Sequence, residues 1–201
     1  MAYTSVADQH LGTSGPAAVR VGRALSDAAL MLAVREGSRE AFDHLLARHY
    51  APVANFGARM TGSDELGLEV AQQVFTALYD QRARYRSAGH LRGWLYAMAR
   101  RQCQKVVRRE RRRAGDAAEA APAIADDPAA AAEQRATLAD LRAAVMGLPE
   151  RERAAVILFH YGQWSYDEIA AALGCSPGAA RTAACRGRAR LRAMLARLEE
   201  E

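Results

Sequence analysis

The side chains in this sequence best equipped for chemistry are arginines, and their placement decides what that chemistry is. Between Ser165 and Arg192 the residues follow a strict order. Ser165 and Glu168 have the spacing of a capping box, in which each side chain satisfies the other's free backbone N–H. The short helix that starts there carries Ile169, Ala170 and Leu173, and Gly174 can take the left-handed conformation that ends it. Ser176 caps a second helix and Pro177 fits its first turn. Small residues at Ala170 and Ala180 let the two helices approach closely. This is the arithmetic of a helix-turn-helix. The N-terminal half of its second helix would enter the major groove, with Ser176, Pro177, Gly178, Ala179, Arg181, Thr182, Cys185, Arg186 and Arg188 as candidates for base and phosphate contact. A plain basic surface helix is the simpler reading, but the cap–Gly–cap–Pro punctuation argues against it.

A second constellation lies between Leu91 and Arg113. Its first half is apolar and aromatic (Trp94, Tyr96), and its second half is basic. Arg100, Arg101, Gln104, Lys105, Arg108 and Arg109 recur at three- and four-residue steps, so several share a helix face. Cations on phosphates give affinity through counterion release, and aromatic rings nearby can stack on exposed bases. Tyr85, in the loop before this helix, is a stacking candidate. Trp94 reads first as a core anchor and second as a base contact.

The elements that position these groups are helical. The chain has 201 residues, half of them hydrophobic but few aromatic, with a net charge of +5. Ala, Leu and Arg abound, and these lose little side-chain entropy in a helix. Residues 1–24 read as a mobile tail. Ser26 caps a helix to about Glu36, where Gly37 ends it, and Ser38 caps the next, which Pro52 should bend or split. Thr61-Gly62-Ser63 is a turn. Leu66, Val70, Val74, Phe75 and Leu78 stripe the third helix to about Arg82. The long basic helix makes the fourth, and four helices of this length form a bundle. Residues 114–134 hold Asp116, Glu119, Asp126, Asp127 and Glu133, two prolines and no basic residue. They read as an acidic, flexible linker. Beyond them, Leu138, Leu141, Val145 and Leu148 share a face. Pro149 suits the first turn of the next helix, which Gly162 should end. The expected fold is all-α, with two small helical domains.

Several function classes lack parts. There is no Gly-rich phosphate loop, nucleophile motif or HExxH, so no enzyme is expected and no cofactor is called for. Carboxylates lie on helix faces beside arginines, as on a solvated surface. Cys103, Cys175 and Cys185 are odd in number without CxxC spacing, and His160 with Cys175 and Cys185 has no usual ligand spacing. Buried structural thiols are the expectation, with no metal. No apolar run is long enough to span a bilayer and no signal-peptide pattern opens the chain, which points to the cytoplasm.

Four segments carry a family resemblance. Glu69-Val70-Ala71-Gln72-Gln73-Val74-Phe75-Thr76-Ala77-Leu78-Tyr79 resembles the region 2 helix of the extracytoplasmic-function (ECF) sigma factors of bacterial RNA polymerase. Trp94-Leu95-Tyr96-Ala97-Met98-Ala99-Arg100 resembles the motif that follows it. Leu148-Pro149-Glu150-Arg151-Glu152-Arg153 and Ser165-Tyr166-Asp167-Glu168-Ile169-Ala170 are similar to the opening of region 4. The likeness runs from about Leu25 to Leu198. It implies a subunit that binds core RNA polymerase and promoter DNA, with an anti-sigma protein as a further partner. Region 2, residues 25–113, would dock on the clamp helices through Glu69, Gln72, Gln73 and Phe75. It would also melt the −10 element with Tyr85, Trp94, Arg100, Arg101, Gln104, Lys105, Arg108 and Arg109. Region 4, residues 135–198, would read the −35 element and touch the polymerase flap. The acidic linker would thread the RNA-exit path.

Two departures from the family pattern bear on specificity. Arg101 and Lys105 stand where Asn and Asp are usual, and Gly178-Ala179-Ala180 stands where Gly-Thr-Val is usual. The first change raises phosphate attraction and the second removes a hydroxyl that often bonds the DNA backbone, so directed hydrogen bonding falls and a non-consensus promoter or a helper protein is expected. The rival reading is a helix-turn-helix regulator that binds duplex DNA without polymerase. It explains the C-terminal unit but leaves the aromatic–basic helix unused.

Overall fold

The computed structural model describes residues 25–85, 91–116 and 139–199. The tail, most of the acidic linker and the loop after Tyr85 lie outside these residues. Among the described residues the chain is helical, with no strand. We label the helices α1 (Asp27–Arg35), α2 (Arg39–Thr61), α3 (Asp64–Asp80) and α4 (Leu91–Asp116), then α5 (139–147), α6 (Glu150–Gly162), α7 (Tyr166–Leu173) and α8 (Pro177–Glu199). A single 3₁₀ turn, Arg82–Arg84, follows α3.

Local chemistry sets these boundaries. Ser26, Ser38 and Ser63 each accept a hydrogen bond from the backbone N–H three residues on, which starts α1, α2 and α3. Gly62 ends α2 at φ 81°, where a side chain would be strained. Pro52 does not split α2, which runs unbroken through it. Pro52 is exposed, so its ring lies on the solvent side of the helix. α4 extends to Asp116, three residues into the expected linker. At the end of α6 the left-handed residue is Gln163, at φ 50°, and Gly162 stays inside the helix. Gly162 is needed there for space, because a Cβ would lie 2.2 Å from Trp164 Cδ1. Pro149 takes the cap position, one residue before the helix proper.

Helices α1 to α4 form one bundle. α2 and α3 pack so closely that a Cβ on Gly67 would meet the Ala54 carbonyl oxygen at 2.6 Å. Leu45, Val53, Val70, Val74, Leu78 and Leu95 are fully buried between the helices. Each such side chain contributes on the order of 1.5–3 kcal/mol when removed from water. Phe42 and Tyr79 add an edge-on ring pair at 5.1 Å. Helices α5 to α8 form the second, smaller domain around Leu148, Leu158, Ile169 and Leu173.

The two domains do not stand apart. One continuous buried cluster runs through both. α7 lies on the N-terminal half of α4, where a Cβ on Gly93 would come 3.4 Å from Ala171 Cβ. Trp164, in the α6–α7 connection, stacks edge-on against Tyr96 at 4.7 Å. Arg153 donates to the Met60 carbonyl at the end of α2 (2.8 Å) as well as to the Met146 and Leu148 carbonyls of its own domain.

Candidate nucleic-acid interface

The C-terminal site is built by caps and small residues. Both halves of the Ser165–Glu168 capping box are present, and Gly174 ends α7 in the left-handed conformation at φ 62°. Ser176 Oγ accepts from the Ala179 N–H at 3.2 Å and so starts α8. Ala170 and Ala180 are buried at the crossing of α7 and α8. Farther along, Gly187 presses on α6, and a Cβ there would meet Val156 Cγ2 at 2.6 Å. These contacts turn one face of α8 outward. Ser176, Pro177, Gly178, Arg181, Thr182, Cys185 and Arg186 are exposed, while Ala179 and Arg188 are half-buried. The Thr182 hydroxyl donates to the Gly178 carbonyl at 2.9 Å. Arg188 covers the Phe159 ring at 5.0 Å, and Arg190 Nε pairs with Glu152 Oε2 at 3.0 Å.

α4 presents two different stripes. Arg101, Lys105, Arg108 and Arg112 succeed one another at steps of four, three and four residues and are all exposed. None of the four forms an ion pair among the described residues. Arg92, Tyr96 and Arg100, also four apart, face the second domain instead. Arg92 donates to the Gly162 carbonyl at 2.8 Å and lies over the Trp164 ring at 4.3 Å. Arg100 grips Glu150 with two parallel bonds, Nε to Oε1 at 2.6 Å and Nη2 to Oε2 at 2.8 Å, and reaches the Leu173 carbonyl at 3.3 Å. A forked pair of this kind is strong and directional. Burial would raise the Glu150 carboxyl, but the hydrogen bond and charge of Arg100, with a further bond from Gln104, hold it below the ordinary carboxylate range.

Several candidates have partners that the sequence did not suggest. Glu69 and Arg109, assigned above to polymerase and DNA respectively, are bonded to each other, with Arg109 Nη2 donating to Glu69 Oε2 at 2.7 Å. Gln73 donates to the same carboxylate at 2.7 Å. The Arg109 bond holds Glu69 below its usual range and raises Arg109 in turn. Phe75 is buried between Phe42 and Tyr50, so it shapes the α3 surface from beneath, and Gln72 is exposed. Tyr85 is buried, edge-on to the half-buried Trp94 at 5.5 Å. Its hydroxyl has no hydrogen-bond partner among the described residues, and burial, then the charge of Asp27, pushes its pKa up. In this arrangement the ring is covered, and a base could reach it only after the adjoining residues move.

Cys103 is buried in the α4 packing face and its thiol is pushed up to about 12 by desolvation, whereas Cys175 is half-buried and Cys185 exposed. The three are therefore not uniformly buried thiols. Among the described residues, no group of three or more His, Cys, Asp or Glu could hold a metal ion. No helix among them is long and apolar enough to cross a membrane.

The geometry can be set beside known proteins. The family model for sigma-70 region 2 matches residues 45–113, and that for sigma-70 region 4 matches residues 138–191. The RNA polymerase sigma factor CarQ of Myxococcus xanthus is 35% identical over 170 residues, spanning 83% of this chain and 96% of that protein. The ECF RNA polymerase sigma factor SigE of Mycolicibacterium smegmatis is 30% identical over 170 residues, covering 83% of this chain and 66% of its own length. Among solved structures, CnrH in complex with the cytosolic domain of CnrY superposes with a TM-score of 0.67 at 24% identity, covering 84% of this chain and 96% of that one. The sigma factor RpoE of Bartonella quintana, solved with the anti-sigma factor NepR, gives a TM-score of 0.61 at 22% identity, over 77% of this chain and 96% of its own. The last two establish likeness of fold. The sequence relatives go further and favour a polymerase subunit over a stand-alone duplex regulator: the chain belongs to the ECF family of RNA polymerase sigma factors and directs transcription initiation.

Proposed function

We propose that the two cationic surfaces divide promoter recognition between them, with residues 25–113 acting on the −10 element and residues 135–198 on the −35 element. The observation that carries this reading is the exposed stripe Arg101, Lys105, Arg108 and Arg112 on α4, together with the outward face of α8. The first is a continuous track for phosphates along a helix whose other faces are packed. The second is a capped helix with its N-terminal turns free to enter a major groove. Unpairing a base costs a few kcal/mol, and a track that holds the opened strands offsets that cost.

In this reading Gln72 and the neighbouring surface of α3 dock on the core polymerase. Glu69 and Gln73 act by fixing α3 to α4, and Phe75 by filling the space beneath. The solved relatives are complexes, one of them named as a complex with an anti-sigma factor, which supports a partner of that kind for this chain too. The chain contributes no catalytic group, since nucleotide addition belongs to core polymerase, and it works in the cytoplasm.

The test is run-off transcription with core polymerase and a promoter library. Arg101→Asn combined with Lys105→Asp exchanges two phosphate-seeking cations for groups that bond base edges. The favoured −10 sequence should change while −35 preference stays the same. An unchanged −10 preference would show that α4 does not read that element.

A further inference from the structure

A cleft of about 1030 Å³ opens between the end of α2 and the helices α5, α6 and α8. That is the upper end of the size range of small-molecule sites, which favour junctions between domains. One wall is aliphatic. Leu141, Val145 and Met146 come from α5, Val156 and Ile157 from α6, and Leu191 from α8. Val156 and Ile157 are buried, but the other four are only half-buried, so apolar surface here stays in contact with water. Water in such a space finds few polar partners.

The rim carries cations. Arg59 of α2 is half-buried and forms no ion pair among the described residues. It donates to the Asn55 carbonyl at 3.1 Å and lies over the exposed ring of Tyr161 at 3.9 Å. The ring fixes the plane of the guanidinium, and most of its five N–H donors stay available to an anion. Arg142 of α5 approaches Asp64 only at 4.0 Å, with both side chains exposed. An ion pair of that kind is weak and easily exchanged. Two arginines therefore stand against one aspartate at the rim, beside a wall of hydrocarbon. The complement is a molecule with an aliphatic body and a single anionic head. A nucleotide fits poorly, because its ribose and base edges would meet the aliphatic wall without hydrogen-bond partners.

We propose that this cleft is a binding site for a small amphiphilic carboxylate, which lays its chain along α5, α6 and α8 and places its head on Arg59, with Arg142 beside it. The site is independent of the promoter reading, and neither arginine is among the residues assigned above to DNA or polymerase.

Isothermal titration calorimetry on the full-length protein tests this with hexanoate, octanoate and decanoate, each below its micellar concentration, and with 1-octanol as the uncharged control. The carboxylates should bind one per chain, and affinity should rise two- to four-fold per added methylene, as expected for a chain leaving water. Octanoate should bind at least five-fold more tightly than 1-octanol. Arg59→Gln should remove that advantage and change 1-octanol binding by less than two-fold, and Arg142→Gln should act in the same direction more weakly. Val145→Trp, which fills the cleft, should abolish binding of both. No saturable one-to-one binding, octanoate no tighter than 1-octanol, or octanoate affinity unchanged in Arg59→Gln would each overturn the proposal. Binding that survives in a folded Val145→Trp protein would place the ligand elsewhere and overturn it too. Should Val145→Trp fold poorly, Arg59→Gln decides, since its side chain stands at the rim and outside the core.

Discussion

α4 and α8 are both long basic helices, of 26 and 23 residues, yet they use their arginines differently. On α4, Arg92, Arg100 and Arg109 are committed to Gly162, Glu150 and Glu69, and these bonds decide how neighbouring helices lie. On α8, Arg190 is held by Glu152, but Arg181, Arg186 and Arg192 form no ion pair among the described residues. A cation matched by a carboxylate shapes the molecule. One left facing water is available to a polyanion. The difference also appears in how each helix is seated. Gly187 of α8 presses on α6 with no space for a methyl group, while Gly93 of α4 meets α7 at ordinary contact distance. α8 is seated in its domain with no room for a methyl group, whereas the contact of α4 with α7 leaves room for one.

The largest effect should come from the free cations of α8. Arg181→Ala with Arg186→Ala should weaken binding to a −35 duplex on the order of 100-fold at low salt, as measured by fluorescence anisotropy. Arg190→Ala should cost far less, and an equal loss from both would erase the distinction between committed and free arginines. Next comes seating. Gly187→Ala should lower the stability of the chain by about 1–3 kcal/mol in urea unfolding, because α8 must move off Val156. Gly93→Ala should change it by less than about 0.5 kcal/mol. Equal losses would mean that the joint between the domains is as tightly fitted as the core of one. The smallest effect concerns the free stripe of α4. Removing two of its cations, Arg101→Ala with Lys105→Ala, should reduce the slope of log affinity against log salt for forked DNA by about two. Removing the committed Arg109 should leave that slope nearly unchanged.

The sequence was most legible where the cause is local. Ser26, Ser38, Ser165 and Ser176 cap the helices expected of them, and Gly62 and Gly174 end theirs, because caps depend on groups three or four residues apart. The end of α6 at Gly162 is instructive, since the helix does run to that glycine but the glycine is required by the ring of Trp164 and the left-handed turn falls to Gln163. Long-range partners were not legible. Arg100 and Glu150 are 50 residues apart, Arg153 and Met60 are 93 apart, and nothing in the local pattern distinguishes such charges from a solvated face. For the same reason Glu69 and Arg109 were assigned to different ligands although they bind each other. Tyr85 has the composition of a stacking residue, and only its packing beneath Trp94 shows that the ring is covered.

The placement of the two tryptophans makes the molecule its own optical gauge. Trp94 lies within the N-terminal bundle against Tyr85, while Trp164 lies at the joint, between the ring of Tyr96 and the guanidinium of Arg92. Parting the domains would strip both neighbours from Trp164 and wet its indole, and would leave Trp94 in its bundle. Emission from a Trp94→Phe protein should therefore shift to the red as the halves separate, reporting the motion in real time without an attached dye.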